Sequence, residues 1–154
     1  MTTDTHELIL LRHAEARAPR GKQDDFDRVL SARGEADAER LGTWLRQQEW
    51  IFDLVYCSPA ARTRSTLASV LPFHALDARL LPDLYLADAG TLQRIANGIP
   101  AVGRALLLAH NPGLEQFANA LCGWSAPRAL PTCGLLRLRR EADGTARLIE
   151  SWQP

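Results

Sequence analysis

Three polar segments of this sequence carry residues that could bind an oxyanion and attack it. Arg12 and His13 stand together near the start of the chain, Arg62 lies in its middle part, and His110 lies in the last third. A guanidinium group matches the oxygens of a phosphate bidentately. A neutral imidazole can act as a nucleophile or as a hydrogen-bond donor near neutral pH. Gathered at one place, these side chains would form a phosphate-type anion site that contains its own nucleophile.

Short apolar runs precede all three segments and predict how they are positioned. The runs 7–11, 53–57 and 104–109 are typical of buried strands covered by helices on both faces. If these strands are parallel, their carboxyl ends lie at one edge of the sheet, where ligands bind in open α/β folds. We therefore expect the arginines and histidines to converge there, beside helix N-termini that favour anions.

The remaining pattern alternates helices with strands and closes with a hairpin. Ser31 is a plausible N-cap for a helix to Gln48, and Ser58-Pro59 and Asn111-Pro112 each predict a further helix start. The other predicted elements are a helix over 89–97, a short strand near 79–81 and strands over 132–140 and 145–152. This order predicts one α/β domain over residues 1–154: a three-layer sandwich with a mainly parallel central sheet flanked by helices, and a C-terminal hairpin.

Composition excludes several functional classes. The chain has 154 residues, 46% of them hydrophobic and 23% charged, and a formal net charge of zero, so a broadly basic nucleic-acid binder is not expected. No apolar run approaches the ~20 residues of a membrane span, and the N-terminus does not resemble a signal peptide. Three scattered cysteines favour reduced thiols in the cytoplasm. The four histidines (His6, His13, His74 and His110) lack metal-ligand spacing.

Four ordered motifs resemble the histidine phosphatase (phosphoglycerate-mutase-like) superfamily. Leu-Leu-Arg-His-Ala-Glu at 10–15 is similar to the family's Arg-His-Gly signature, and Ser-Pro-x-x-Arg-x-x-x-Thr at 58–66 is similar to its second phosphate-binding segment. The segments 27–34 and 108–112 are similar to two further family stretches, the latter holding the second histidine. The short chain and the alanine after His13 resemble the SixA-type phosphohistidine phosphatase branch.

The resemblance implies a role for each of four residues. His13 would be the nucleophile and become transiently phosphorylated, Arg12 and Arg62 would hold the phosphoryl oxygens, and His110 would donate to the same group. These side chains supply the positive charge that phosphoryl transfer needs, so no metal and no cofactor is expected. The implied reaction is hydrolysis through a covalent phosphohistidine intermediate, with phosphohistidine on a partner protein as the expected substrate.

The motifs do not assign a residue that donates a proton to the leaving group. Asp83, Asp88 and Glu15 are candidate acids, although each could equally be a solvated surface carboxylate, and Arg28 could face the pocket or pair with a neighbouring aspartate. A phosphomonoester needs such a donor because its leaving group is an alkoxide. A site without a committed acid would therefore favour phosphohistidine, whose imidazole can leave already protonated.

Two other functions remain open from the sequence. One is a small-molecule phosphomonoesterase or mutase, whose substrate would be a small phosphometabolite. The other is a phospho-binding module without turnover, against which the intact His13 and His110 argue, because a pure binder needs no nucleophile. The sequence leaves the physiological substrate and the oligomeric state undetermined.

Overall fold

The computed structural model of the chain describes residues 6–73, 77–100, 103–126 and 128–154. In chain order its elements are β1 (Glu7–Arg12), α1 (Ala32–Gln48), β2 (Leu54–Cys57), α2 (Ala61–Val70), β3 (Arg79–Leu80), α3 (Ala89–Asn97), β4 (Arg104–Ala109), α4 (Gly113–Cys122), β5 (Leu135–Arg140) and β6 (Ala146–Trp152). Short 3₁₀ turns at Asp25–Asp27 and Pro82–Leu84 lie before α1 and α3. No helix among the described residues is long and apolar enough to cross a membrane.

The strands form one six-stranded sheet in the order β3-β2-β4-β1-β5-β6. The first four run parallel to one another, as expected for strands joined by helical crossovers. Strand β5 pairs antiparallel with β1, and β6 pairs antiparallel with β5. The predicted α/β class, the mainly parallel sheet and the C-terminal hairpin are therefore confirmed.

Helices cover both faces of the sheet, and the four central residues of β1 (8–11) are accordingly all apolar. Leu8 and Leu10 point into a core shared with α3 and α4, whereas Ile9 and Leu11 point into a second core shared with α1 and α2. All four side chains are fully buried. The continuous apolar run is thus the sequence signature of a central strand between two helical layers.

The carboxyl ends of β1, β2 and β4 meet at one edge of the sheet. Arg12 is paired with Ala109, and Cys57 is paired with Leu108. The backbone N–H of the residue after β1 donates to the carbonyl of Ala109 at 3.3 Å, and that of the residue after β2 donates to the carbonyl of Leu108 at 3.0 Å. The polar residues that follow these strands therefore start from neighbouring backbone positions.

Two helices begin later than their serine-proline and asparagine-proline signals predict. Helix α2 begins at Ala61 and not at Pro59, because Ser58 still belongs to the sheet edge, where its side chain contacts His110 and accepts from the N–H of Ala60 at 3.4 Å. Helix α4 begins at Gly113, with Pro112 as its N-cap residue, and not at Pro112 itself. Ser31 caps α1 as predicted, accepting a hydrogen bond from the backbone N–H of Gly34 at 3.0 Å.

The first turn of α1 holds the segment that follows His13. The N–H of Ser31 donates to the carbonyl of Glu15 at 2.9 Å. A Cβ atom at Gly34 would lie 2.1 Å from that same carbonyl oxygen, so only glycine permits this approach. Gly34 therefore fixes the path of the chain that follows His13, the candidate nucleophile.

Candidate active site

Three of the four residues predicted to converge are in direct contact at the sheet edge. The Nε of Arg62, in the first turn of α2, lies 3.3 Å from the Nε2 of His13. The rings of His13 and His110 have centroids 5.3 Å apart. All three side chains are buried, with Arg62 only 3% exposed. Residues that are far apart in sequence thus form one cluster of two imidazoles and a guanidinium group.

Arg12 joins the cluster from the end of β1 and keeps donors available. One of its terminal nitrogens donates to the carbonyl of Leu130 at 3.1 Å. Its Nε is buried and has no hydrogen-bond partner among the described residues. Its positive charge helps to lower the pKa of both His13 and His110. Arg12 is therefore anchored in place while it presents unused N–H groups, as a phosphate ligand requires.

His13 is held as a neutral imidazole with one nitrogen left as an acceptor. Its Nδ1 lies 2.7 Å from the carbonyl of Ala14, and a carbonyl can only accept, so Nδ1 carries the proton. Burial lowers the pKa of His13 to about 4, assisted by the charges of Arg62, Arg12 and Arg28 and opposed by the Ala14 hydrogen bond. Nε2 is therefore unprotonated at neutral pH, as a nucleophile requires, and it accepts a hydrogen bond from the Nε of Arg62.

His110 is held beside it by the hydroxyl of Ser58. The His110 Nε2 lies 2.7 Å from the Ser58 Oγ, and both residues are almost wholly buried. Burial lowers the pKa of His110 to about 3, with further lowering by His13 and by the charges of Arg62 and Arg12, and with an opposing contribution from Asp25. The Nδ1 of His110 is buried without a partner among the described residues, so the ring retains an unused polar atom.

Helix α2 also supports the loop that carries His13. The N–H of Ala14 donates to the hydroxyl of Thr66 at 3.0 Å, and that hydroxyl donates to the carbonyl of Arg62 at 2.7 Å. Thr66 is fully buried. The spacing from Arg62 to Thr66 therefore places the guanidinium and the loop anchor on consecutive turns of one helix.

The four weaker site candidates are all engaged in other contacts. Glu15 accepts from the hydroxyl of Ser31 at 2.9 Å, and Asp83 is 67% exposed and pairs with Arg94 at 3.5 Å. Asp88 caps α3 by accepting from the N–H of Thr91 at 2.8 Å. The fourth candidate, Arg28, pairs with Asp25 at 2.9 Å, as the alternative interpretation of that residue expected. None of the three carboxylates has a hydrogen bond or ion pair with the two histidines among the described residues.

Sequence reasoning missed two residues that contact the cluster. Asp25 lies in the 3₁₀ turn before α1 and pairs with Arg62, its Oδ2 accepting from a terminal nitrogen at 3.0 Å. The hydroxyl of Tyr85 donates to the same carboxylate oxygen at 2.5 Å, and its ring lies edge-on to His110 with centroids 5.6 Å apart. The run of acidic residues at 24–27 was visible in the sequence, but nothing marked which of them reaches Arg62.

Metal ligation is not suggested by the described part of the chain. No group of three or more histidine, cysteine, aspartate or glutamate side chains within it is placed to hold a metal ion. His74 lies outside the described residues. Within the described part, the positive charge at this sheet edge comes from the arginines.

The lowered pKa values predict how stability depends on pH. Both imidazoles bind a proton less tightly in the folded chain than in the unfolded chain, where the pKa is near 6.5. The unfolded state therefore binds more protons below that pH, so the free energy of unfolding should fall as pH drops from 6.5 to about 4. We expect a loss on the order of several kcal/mol from these two groups, because a pKa difference of one unit corresponds to about 1.4 kcal/mol. Denaturant unfolding at a series of pH values measures it.

The matched comparison for this pH dependence is a His13→Gln/His110→Gln double variant, which lacks both titrating rings. Its pH profile should be flatter than that of the wild type over the same interval, because the carboxylates common to both proteins cancel in the difference. Parallel profiles would contradict the assignment of two neutral, buried imidazoles.

Comparisons with known proteins agree with this geometry at the level of a family. A family model described as the histidine phosphatase superfamily (branch 1) matches residues 8–101. An uncharacterized chloroplastic protein of Arabidopsis thaliana is 33% identical over 150 residues, which cover 90% of this chain and 68% of the relative. An uncharacterized protein of Mycobacterium tuberculosis is 34% identical over 141 residues, covering 84% of this chain and 86% of the relative.

Solved structures share the whole fold. A candidate phosphohistidine phosphatase SixA from Agrobacterium tumefaciens is 29% identical, with a TM-score of 0.87 over 98% of this chain and 99% of its own. The protein histidine phosphatase SixA complexed with tungstate has a TM-score of 0.79 at 24% identity, covering 96% of this chain and 97% of its own. The likeness to the Agrobacterium tumefaciens protein extends over nearly every residue of both chains, and the likeness to the tungstate complex shows a common fold.

Proposed function

This chain belongs to the histidine phosphatase superfamily, and from that membership and the geometry of its site we propose that it hydrolyses phosphohistidine on a partner protein through a phosphorylated His13. The observation that carries the proposal is the state of His13. Its Nδ1 is committed to the carbonyl of Ala14, and its unprotonated Nε2 lies beside Arg62. The Nε2 lone pair accepts the Nε–H of Arg62, so the unprotonated nitrogen of His13 is held against a guanidinium group that is expected to bind phosphate.

In the first step, the Nε2 lone pair of His13 forms a bond to the phosphorus atom of the substrate. The bond from phosphorus to the leaving nitrogen breaks, and its electron pair goes to that nitrogen. Arg12 holds the phosphoryl oxygens with its Nε–H, which has no partner among the described residues, and Arg62 does so with the second N–H of each terminal nitrogen, the first of each being bonded to Asp25. The transition state is stabilised mainly by positioning and by positive charge, which this cluster supplies.

His110 donates to the same phosphoryl group. If the Ser58 hydroxyl donates to Nε2, the ring proton lies on Nδ1, the buried nitrogen that otherwise has no partner among the described residues. In the second step, water attacks phosphorus and the bond to His13 breaks, returning its electron pair to Nε2. The products are free enzyme, inorganic phosphate and the proton lost by the water.

The choice of phosphohistidine over a phosphomonoester is supported by the missing acid. Asp83, Asp88 and Glu15 bind an arginine, a helix end and a serine hydroxyl respectively. An alkoxide leaving group would need a proton from such a residue, whereas a departing imidazole that is already protonated at its other nitrogen would not. The similarity to SixA structures over the whole chain supports the same class of substrate.

A substrate panel tests the proposal. Wild-type protein is assayed on a phosphohistidine protein, free phosphohistidine and common phosphomonoesters, with His13→Ala as the blank. We expect turnover of phosphohistidine to exceed that of every monoester and to vanish in the blank. Preferred turnover of a small phosphomonoester would instead establish the small-molecule alternative, and tight phosphate binding without turnover would establish a binding module.

A further inference from the structure

The carboxylate of Asp25 lies at the mouth of the site and is held there by three donors. It accepts from Arg62 at 3.0 Å, from Arg28 at 2.9 Å and from the hydroxyl of Tyr85. The Tyr85 hydrogen bond and the two arginines lower the pKa of Asp25 well below its usual range, so the group is charged at neutral pH. A fixed negative charge therefore stands next to the arginine that is expected to bind phosphate.

This carboxylate retains an unused acceptor position and is itself partly exposed to solvent. Its Oδ2 accepts from Arg62 and Tyr85, whereas its Oδ1 accepts, among the described residues, only from Arg28. Two carboxylate oxygens offer about four acceptor positions in total. The side chain is 41% exposed, so a ligand can approach it from solvent. A ligand with an N–H group could therefore bind Asp25 without displacing its protein partners.

Aromatic rings border the same opening. The ring of Phe26 lies edge-on to that of Tyr85, with centroids 5.1 Å apart, and Tyr85 in turn lies edge-on to His110. Phe26 and Tyr85 are both partly exposed. Planar ligand rings pack well against such edges and faces. The mouth thus combines a hydrogen-bond acceptor, a negative charge and two aromatic side chains.

We propose that Asp25 determines the leaving group, its carboxylate accepting the ring N–H of the substrate imidazole while the phosphoryl group lies on Arg62. The proposal deepens the proposed function, on which it rests, by naming the residue that recognises the imidazole of phosphohistidine. The bound imidazole carries the phosphoryl group on one nitrogen and a proton on the other. When His13 attacks, the phosphorus–nitrogen bond breaks, its electron pair goes to the departing nitrogen, and the proton stays on the nitrogen that faces Asp25.

The same charge works against phosphomonoesters. In their case the leaving oxygen gains negative charge in the transition state, and a fixed carboxylate nearby opposes this. An alkyl or aryl group also offers Asp25 no N–H to accept from. Asp25 therefore contributes attraction to one substrate class and repulsion to the other, which is how specific sites commonly discriminate.

The test compares wild type, Asp25→Asn and Asp24→Asn, each assayed on free phosphohistidine and on p-nitrophenyl phosphate. The quantity measured is the ratio of the two kcat/KM values. Asparagine keeps the shape of Asp25 but removes its charge, so we expect this ratio to fall by about 10- to 100-fold, the loss of one charge-assisted hydrogen bond. Asp24 is exposed in the same loop, and its variant should leave the ratio unchanged.

The ratio is used because Asp25 contacts Arg62. Any misplacement of Arg62, or any loss of folded protein, lowers the rate on both substrates alike and cancels. A fall in the ratio for Asp25→Asn but not for Asp24→Asn supports the proposal. An equal change on both substrates in either direction overturns it while leaving the proposed function intact. Wild-type protein that does not hydrolyse phosphohistidine overturns the proposed function and, with it, this role for Asp25.

A second variant tests the role of Asp25 without replacing Asp25 itself. Tyr85→Phe removes one of the three donors that hold the carboxylate but leaves the charge and the aromatic edge in place. We expect the same ratio to fall in the same direction by a smaller factor than in Asp25→Asn. A rise in the ratio would overturn the proposal, because it would show that a fixed Asp25 hinders the imidazole substrate.

Discussion

His13→Ala lowers kcat/KM for phosphohistidine by roughly 10⁴-fold or more, the scale of loss seen when a covalent nucleophile is removed. The reason is chemical, because among the described residues His13 is the histidine whose unprotonated nitrogen contacts an arginine that is expected to bind phosphate. His110 lies 5.3 Å away between ring centroids, but its Nε2 is bonded to Ser58 and its ring is 2% exposed. Steady-state kinetics on phosphohistidine, with the folded fraction checked by circular dichroism, measures the effect.

The matched control is His6→Ala. His6 precedes β1 at its amino end, whereas His13 follows the same strand at its carboxyl end, so the two substitutions are alike in chemistry and opposite in position. We expect His6→Ala to retain the wild-type rate. Turnover of His13→Ala within about tenfold of the wild type would exclude His13 as the nucleophile, since that loss is smaller than even a lost transition-state donor causes.

Arg62→Ala lowers kcat by about 10²–10³-fold, the usual cost of losing one preorganised donor to the transition state. The side chain is 3% exposed, and its three nitrogens contact His13, the backbone carbonyl of Asp25 and the Asp25 carboxylate. Arg62→Lys should recover only a small part of the rate, because an ammonium group keeps the charge but not the planar fork. The measurement is single-turnover kinetics on phosphohistidine with enzyme in excess.

Arg64→Ala is the control for this prediction. Arg64 lies on the same helix two residues further along, carries the same charge and is exposed to solvent. Its removal changes the net charge of α2 as much as the loss of Arg62 does, yet it should leave kcat nearly unchanged. Equal losses in the two variants would mean that Arg62 acts only through the general positive field of the helix.

The order of strands and helices could be predicted from the sequence because buried segments have a recognisable pattern of apolar residues. The runs at 8–11 and 105–109 are apolar at every position, and in the structure their strands lie in the centre of the sheet between two helical layers. Parallel pairing then forces the next residues to one edge, so His13 and His110 could be placed together from topology alone. The contact between Arg62 and His13 follows from the same rule.

The contacts made by loop residues could not be predicted in this way. Asp25 and Tyr85 are sixty positions apart in the chain. Asp25 lies in one 3₁₀ turn and Tyr85 directly follows the other, and such short turns have no periodicity, so their hydrogen bond has no sequence signal. Ser58 and Asn111 were interpreted as helix caps, because the residue types that cap helices also serve in sites. In the structure both side chains accept a backbone N–H at the start of the following helix, Asn111 from Glu115 at 3.2 Å and Ser58 from Ala60 at 3.4 Å. Ser58 in addition contacts His110, and the amide of Asn111 donates to the carbonyl of Leu130.

The candidate acids show a second reason why the site could not be predicted completely from the sequence. A carboxylate in a loop has the same sequence appearance whether it donates a proton to a substrate or pairs with a surface arginine. Asp83 does the latter, with Arg94 at 3.5 Å, and Asp88 caps α3. Only the direction of the side chain distinguishes these roles, and that direction is set by packing that the linear sequence does not encode locally.

The central claim, that His13 carries the phosphoryl group during turnover, is tested most directly by trapping the intermediate. Wild-type protein is mixed with a labelled phosphohistidine substrate, quenched in alkali within one turnover, digested and analysed by mass spectrometry. The account predicts one acid-labile, alkali-stable phosphoryl group on the peptide that contains His13, absent from His13→Ala. Label on any other residue, or turnover with no labelled peptide at any quench time, would contradict it.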